Sequence, residues 1–154
     1  MKTSLKILLL IASFFIVGCK TTQFTKSVNY LSGDAQTLSL RSSGMGINEL
    51  SAISNAEKNA VEAILFRGIP NSQQKEPLVS VSEKEAKQIY KKYFDEFFAG
   101  ERYKTFIYSS VPVSSSQFVK GGAGKKTICI DVKVNLKALR QDLEKSGVIR
   151  KFGL

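Results

Sequence analysis

A strict alternation of apolar and polar residues near the C-terminus constrains the fold of this chain more than any other feature. The apolar side chains occupy every second position, namely Ile128, Ile130, Val132, Val134 and Leu136. The positions between them are held by Thr127, Cys129, Asp131, Lys133 and Asn135. A period of two is that of a β-strand, whose successive side chains point to opposite faces of a sheet. The pattern therefore predicts a strand with one face in the core and the other toward solvent.

Two further strands are predicted from shorter patterns. Thr37 to Arg41 alternates, with apolar side chains on one face, and the strand is predicted to end in residues 42–46, a segment of serine, glycine and methionine. Residues 103–113 are rich in aromatic and branched side chains, and Pro112 indicates an edge or the end of a strand. The serines at 114–116 and the glycine-rich segment 121–124 predict a flexible hairpin connection to the alternating strand.

The residues between Asn48 and the segment 67–70 follow the period of an α-helix. Their apolar side chains recur at spacings of three and four, at Leu50, Ile53, Ala56, Ala60, Ala63 and Ile64. Asn48 is suited to cap the start of this helix, while Gly68 and Pro70 are suited to end it. The small alanines predict that the helix lies close against a sheet.

A second helix is predicted from a capping box formed by Ser82 and Glu85, and it is expected to end at Gly100. Its apolar residues fall within a sector of about 140° when each residue turns 100°. They are Ala86, Ile89, Tyr90, Tyr93, Phe94, Phe97 and Phe98. Such a regular stripe is typical of a core helix. The alternative is a lipid or ligand groove completed by Phe106 and Tyr108.

The last predicted helix carries leucines at 136, 139 and 143 and ends at Gly147. The tail of residues 148–154 is expected to dock on the domain. The resulting order, β-α-α-β-β-α, predicts one α+β domain over residues 37–154. It has two layers, an antiparallel sheet and helices on one face of that sheet.

The N-terminal residues have the pattern of a secretion signal. Lys2 and Lys6 precede an apolar run from Ile7 to Val17, which is shorter than the roughly 18 residues needed to cross a bilayer as a helix. The run ends at Ile16-Val17-Gly18-Cys19, which resembles the bacterial lipobox, in which the cysteine is acylated and becomes the mature N-terminus.

These residues predict a lipoprotein signal peptide over 1–18, lipid attachment at Cys19 and a polar tether over 19–36. Two alternatives remain at this stage. One is an ordinary signal peptide cut near Gly18, and the other is an uncleaved anchor that happens to contain Cys19.

Composition argues against familiar catalytic and metal sites. The chain contains no histidine, which is the commonest general base and metal ligand. Once Cys19 is acylated, Cys129 is the remaining thiol, so no intrachain disulfide is expected, and a buried inert thiol is predicted. Adjacent Asp95 and Glu96 diverge by about 100° on a helix and do not form a working pair. The domain is therefore predicted to be non-enzymatic, without metal or cofactor.

The charge balance suggests anionic partners. The formal net charge is +10, and it becomes +8 when Lys2 and Lys6 are removed with the signal. A basic envelope protein is attracted to phospholipid, lipopolysaccharide or cell-wall polymers. Nucleic acid is not an expected partner, and the oligomeric state is left open.

Two sets of residues are candidates for contact with an anion or a partner. Gly44 and Gly46 lie between a predicted strand and helix, where backbone amides can hold an anion. The alternative is a tight turn that needs positive φ, and Glu49 occupies the position of the third glycine of a dinucleotide motif. The basic candidates are Lys84, Lys87, Lys91 and Lys92 on one helix side, with Lys125 and Lys126 beside the glycine-rich segment. For these, the alternative is a solvated surface.

Four features of the chain resemble those of a known family. They are the lipobox, the segment 43–46, the small-residue helix with Asn55, Ala56, Ala60 and Ala63, and the late hairpin that enters a leucine helix. They are similar to the small envelope lipoproteins of the LPP20 type and to the N-terminal domain of the flagellar protein FlgT. Residues 65–70 and 147–154 are similar to those of lipoproteins of Bacteroidetes. The resemblance implies an envelope-associated, non-enzymatic role, and it supplies no catalytic residues.

The resemblance also bears on location. In Bacteroidetes lipoproteins, acidic residues after the cysteine accompany export to the cell surface, and Lys20-Thr21-Thr22-Gln23 contains none. Position 20 is also not the Asp that favours inner-membrane retention in enteric bacteria. The expected protein is a periplasm-facing binding or assembly module, such as an accessory of a larger outer-membrane complex, and it is anchored by lipid in the outer membrane. The alternatives are a carrier of a lipid or small ligand and a hydrolase with an unrecognised site.

Overall fold

The structure, a computed structural model, describes residues 26–113, 119–120 and 125–151. The predicted signal peptide, Cys19, the serine run, the glycine-rich segment and residues 152–154 lie outside these ranges. The strands are β1 (Val28–Gly33), β2 (Thr37–Gly46), β3 (Ile107–Pro112), β4 (Val119–Lys120) and β5 (Lys126–Asn135). The α-helices are α1 (Glu49–Phe66), α2 (Glu83–Ile89), α3 (Lys91–Phe98) and α4 (Leu136–Lys145). A 3-10 helix, Arg102–Phe106, precedes β3.

The strands form one antiparallel sheet in the order β1-β2-β5-β3, and β4 pairs with the first residues of β5. The pairing of β2 with β5 runs from Thr37 opposite Asn135 to Gly46 opposite Lys126. The predicted alternation in β5 is confirmed, because Ile128, Ile130, Val132, Val134 and Leu136 are all buried.

The helices cover one face of the sheet, so the predicted two-layer α+β class is confirmed. α1 begins at its predicted cap, where the Asn48 side chain accepts a hydrogen bond from the Ser51 amide at 2.8 Å. The alanines of α1 are buried against β2 and β5, as their spacing predicts. In the described part of the chain, every helix is too short or too polar to cross a bilayer.

The order of elements along the chain differs from the predicted order at the N-terminal side, where there is an additional strand. β1 lies inside the segment predicted as a tether and precedes residue 37, the predicted start of the domain. It pairs antiparallel with β2, from Val28 opposite Ser42 to Gly33 opposite Leu38. Its sequence resembles a polar linker because, as an edge strand, β1 places only Val28 and Tyr30 partly against the core.

The predicted second helix is two helices. Tyr90, with φ −108° and ψ 39°, separates α2 from α3. α3 ends at Phe98, whereas the sequence predicted that the helix ends at Gly100. The residue with left-handed backbone after this helix is Glu101, with φ 55°. Phe94 and Phe97 are buried as predicted, whereas Ile89, which was assigned to the same stripe, is exposed.

The predicted strand over 103–113 begins later than expected. Residues 102–106 form the 3-10 helix, and the buried aromatic rings of Tyr103 and Phe106 lie on one side of it. A spacing of three matches the 3-10 repeat, in which side chains at i and i+3 eclipse.

The C-terminal helix is held by its leucines and by a polar network. Leu139 and Leu143 are buried, Gly147 has φ +69° at the helix end, and Val148 docks on the core as predicted. The Tyr93 hydroxyl donates to Asp142 Oδ2 at 2.6 Å, and Arg102 Nη1 contacts Asp142 Oδ1 at 2.8 Å. Burial of Tyr93 and its bond to this carboxylate raise the pKa of the phenol.

Candidate functional site

The glycines that were candidates for anion binding lie inside β2 and not in a loop. Gly44 pairs with Ile128 and Gly46 with Lys126. A Cβ atom at Gly44 would lie 2.2 Å from the Ala52 oxygen and 2.3 Å from the Ala56 nitrogen. In the described residues, the glycines with positive φ are Gly68 and Gly147. The prediction of a tight turn with positive φ is therefore wrong, since both glycines lie in β2, where they allow α1 to approach the strand. Contact of Gly44 and Gly46 with an anion stays a prediction.

The candidate lysines do not form a single basic surface. Lys84 is exposed on α2, whereas Lys87 turns toward α1 and contacts Glu62 Oε1 at 3.4 Å. Lys91 pairs with Asp95 one turn along α3. Lys125 is exposed and Lys126 is half-buried at the start of β5. The break at Tyr90 explains the separation, because it interrupts the helix on which these lysines were placed together.

Cys129 is half-buried on the sheet face opposite the helices. Burial raises the pKa of its thiol, although the nearby Arg41 guanidinium acts in the opposite direction. Arg41 itself forms a two-point ion pair with Asp131, at 2.8 and 2.9 Å. A thiol with a raised pKa carries little thiolate, so this position is suited to packing and not to nucleophilic chemistry.

A groove of about 550 Å³ lies between the first half of α1 and the turn that joins α3 to the 3-10 helix. Phe98 and Leu50 supply apolar surface, and the polar side chains come from both walls. The polar lining consists of Asn48, Ser51, Ser54, Asn55, Lys58, Glu101, Tyr103 and Lys104. The convergence of polar groups beside apolar surface is one feature of ligand sites.

Four polar side chains meet in the lining of this groove. The Ser54 hydroxyl lies 3.0 Å from the Tyr103 hydroxyl and donates to Glu101 Oε1 at 3.1 Å. Lys104 Nζ lies 2.9 Å from Glu101 Oε2. These two bonds, first that of Lys104 and then that of Ser54, lower the pKa of Glu101. Glu101 is a non-glycine residue with left-handed backbone, a strained conformation that often occurs at binding sites.

A second, smaller groove of about 250 Å³ shares Lys58 and Phe98 with the first and is also lined by Lys87. The Lys58 and Lys87 ammonium groups lie 5.2 and 4.8 Å from the centre of the Phe98 ring. Both distances are within the range of cation–π attraction. We call the two grooves together the Phe98 groove.

The carboxylate of Glu62, of which only 6% of the side chain is exposed, draws lysines to the Phe98 groove. Lys26, Lys58 and Lys87 lie 3.5, 4.0 and 3.4 Å from its oxygens. Burial alone would lower the pKa of Lys87, but Glu83 and Glu62 outweigh that effect and raise it. Lys87 therefore stays positively charged beside the groove.

Most of the residues of this groove were not predicted from the sequence. Ser54, Lys58 and Glu62 are four residues apart on α1, so they form a polar stripe on a helix that is otherwise rich in alanine. Such a stripe is a signal for a functional face, because residues at i, i+4 and i+8 share one side of a helix. Glu101 and Tyr103 gave no comparable signal, since the turn that brings them to α1 depends on tertiary contacts.

The groove carries the hydroxyl, amide and ammonium groups of a recognition site. In the part of the chain that the structure describes, no group of three or more acidic or cysteine side chains is arranged to hold a metal ion. Comparison of the chain with protein-family models, curated proteins and solved structures finds no match.

Proposed function

We propose that this chain is a lipid-anchored envelope protein whose α+β domain is a non-catalytic binding or assembly module. Cys19 carries the lipid and holds the domain at the periplasmic side of the outer membrane. The observation that supports a binding role is the Phe98 groove, in which the ammonium groups of two lysines lie over the half-buried ring of Phe98. The preceding secretion signal and lipobox support the anchor.

The chemistry of the groove indicates the class of ligand. Lys58 and Lys87 attract a carboxylate or phosphate, while Phe98 and Leu50 offer apolar surface beside them. Asn55 and Ser54 supply neutral hydrogen-bonding groups along the same wall. An anionic segment of an envelope protein or polymer with an adjoining apolar group satisfies these features.

A hydrolase is the second candidate, and it is favoured by the Ser54–Glu101 hydrogen bond, since a serine beside a carboxylate is a possible nucleophile and base. A general base is most effective when its pKa lies near the working pH. Lys104 and Ser54 lower the pKa of Glu101, which makes this carboxylate a weak base. The hydrogen-bonded pair of Ser54 and Glu101 is therefore better suited to holding the groove wall in place than to hydrolysis. A binding role for the groove is the function that we propose.

Cys19→Ala is expected to abolish acylation, because the substitution removes the thiol at the predicted cleavage site. The variant should accumulate as a precursor or appear in the soluble fraction. Mass spectrometry of the N-terminal peptide and fractionation of membranes measure both outcomes. Cys129→Ala is the matched control and should be acylated normally, since Cys129 lies within β5. Membrane retention of a Cys19→Ala chain without lipid would contradict the anchor.

A photo-crosslinking residue at position 104, on the wall of the groove, is expected to capture one defined partner in living cells. The same residue at position 133, on the sheet face without helices, serves as the control and should not give that adduct. Adding Lys58→Glu should reduce the yield at position 104 roughly tenfold, because a charged contact contributes about 1.5 kcal/mol or more. Lys84→Glu, a charge reversal on exposed α2, should leave it unchanged. Equal adducts from positions 104 and 133 would contradict recognition by the groove.

A further inference from the structure

Two large apolar side chains project into solvent where β2 meets α1. Ile47 directly follows the last residue of β2 and is 73% exposed, and Leu50 in the first turn of α1 is 79% exposed. Single exposed apolar residues are common, but two neighbouring ones of this size form a surface suited to contact. Leu50 was predicted to share the apolar face of its helix, so its exposure corrects that prediction.

The chain that comes from the predicted lipid reaches this same end of the sheet. The Ser43 amide donates to the Ser27 carbonyl at 3.0 Å, so the first described residues run beside Ser43. From Ser43 to Gly46, the end of β2, is about 10 Å of strand. The chain from Cys19 to Lys26 spans at most about 25 Å, because an extended residue covers about 3.6 Å. An acylated Cys19 therefore holds this end of the domain near the membrane surface.

Positive charge lies beside the two apolar residues. Gly46 pairs with Lys126, which places the start of β5 and the exposed Lys125 at this end of the sheet. Glu49, in the first turn of α1, is an acidic neighbour. Exposed apolar side chains beside a lysine are suited to the interface of an anionic bilayer.

We propose that Ile47, Leu50 and Lys125, which we call the docking end, rest on the anionic phospholipid surface of the membrane that holds the lipid of Cys19. This inference rests on the proposed anchor for its orientation. The anchor raises the local concentration of membrane around the docking end, so a weak contact is enough to hold the domain in one orientation. Leu50 also lines the Phe98 groove, so a docked domain holds that groove beside the headgroups.

Vesicle binding by a chain without lipid measures docking separately from anchoring. The chain from residue 19 with Cys19→Ala contains all of the described strands and helices. It is expected to sediment with vesicles of phosphatidylethanolamine and phosphatidylglycerol but not with vesicles of phosphatidylcholine. Binding should weaken as salt rises from about 0.1 M to about 1 M, because the Debye length falls from ~10 to ~3 Å.

The double variant Ile47→Ser/Leu50→Ser is expected to bind these anionic vesicles at least roughly tenfold more weakly, the equivalent of about 1.4 kcal/mol. Lys125→Gln should weaken binding about fivefold, since it removes one positive charge, and one lysine near an anionic surface contributes about 1 kcal/mol. Val111→Ser is the matched control, because Val111 is 58% exposed on β3, opposite Asp131 in the middle of β5. Circular dichroism melts should show that all variants remain folded.

A tryptophan reporter tests the docking in the acylated protein. The chain has no tryptophan, so Ile47→Trp gives a single emitter at the docking end and Val111→Trp a single emitter on β3. In reconstituted anionic vesicles, brominated lipid should quench the first and not the second. Equal quenching of the two tryptophans would overturn the inference. So would vesicle binding that is equally strong in the parent chain and in the Ile47→Ser/Leu50→Ser variant. Loss of self-association in that variant, without any vesicle binding by the parent chain, would assign the surface to a second copy instead. Mass spectrometry tests the acylation of Cys19 separately, so the proposed anchor and the proposed docking can be contradicted independently of each other.

Discussion

Gly44→Ala is expected to lower the free energy of unfolding by at least about 3 kcal/mol, at the upper end of the usual cost of overpacking. The added methyl group would lie 2.2 Å from the Ala52 oxygen and 2.3 Å from the Ala56 nitrogen. Both atoms belong to the backbone of α1, so a side-chain rotation cannot relieve the clash. The whole helix must move away from β2 instead.

That movement also breaks polar contacts between the two elements. The Ser42 hydroxyl donates to the Ala56 carbonyl at 2.7 Å, and Asn59 Nδ2 donates to the Ser43 carbonyl at 2.9 Å. Both bonds are buried, and a buried polar group that loses its partner costs about 1–3 kcal/mol. Steric and polar losses therefore act in the same direction.

Urea unfolding curves of Gly44→Ala and of Gly147→Ala provide the measurement and its control. Gly147 has φ +69° with no atom within 4 Å of an added Cβ, so alanine there costs only about 1 kcal/mol of backbone strain. A Gly44→Ala protein as stable as wild type would show that α1 does not lie against β2 at the described distance.

The same glycine shows where prediction from sequence succeeded and where it stopped. β5 and α4 were predicted closely because their apolar residues follow the strand or helix period throughout and are buried in the structure. The second half of β2 has no such pattern. Ser42 and Gly44 are buried because α1 packs directly on them, whereas the Ser43 hydroxyl contacts Ser27 next to β1. Small polar residues of this kind resemble a turn when the helix is not known.

The prediction of a strand in the aromatic segment before β3 was wrong for a related reason. Tyr103 and Phe106 favour a strand by composition, but both rings turn to the core from a 3-10 helix. Their spacing of three carried the better signal. The left-handed Glu101 that sets this turn carries none, since non-glycine residues are rare in that conformation.

The candidate site was the least predictable part. The lysines were chosen by their clustering on one predicted helix, whereas the Phe98 groove joins Ser54 and Lys58 of α1 to Tyr103 of the 3-10 helix. Contacts between residues this far apart in the sequence depend on how the helices pack. Only Lys87 belongs both to the predicted set and to the groove, because it faces Glu62 across the boundary between α2 and α1.

Phe97→Ala is expected to lower the free energy of unfolding by about 3–5 kcal/mol, the usual cost of removing a large buried ring. Phe97 is 0% exposed, and its ring lies at the centre of the aromatic cluster. Ring centres of Phe98, Tyr93 and Phe106 lie 5.0, 5.5 and 5.8 Å away. The Arg102 guanidinium lies 5.3 Å from the same ring, so the substitution also removes a surface on which this charge rests.

Lys91→Ala in the same helix is the matched control, because 73% of the Lys91 side chain is exposed. Its loss should change the free energy of unfolding by less than about 0.5 kcal/mol, since exposed ion pairs contribute little. A typical domain is stable by only about 5–15 kcal/mol, so the Phe97→Ala protein should melt far below the control. An unchanged melting temperature would place the ring in solvent. The aromatic stripe would then be a ligand surface and not the core that joins α3 to the sheet.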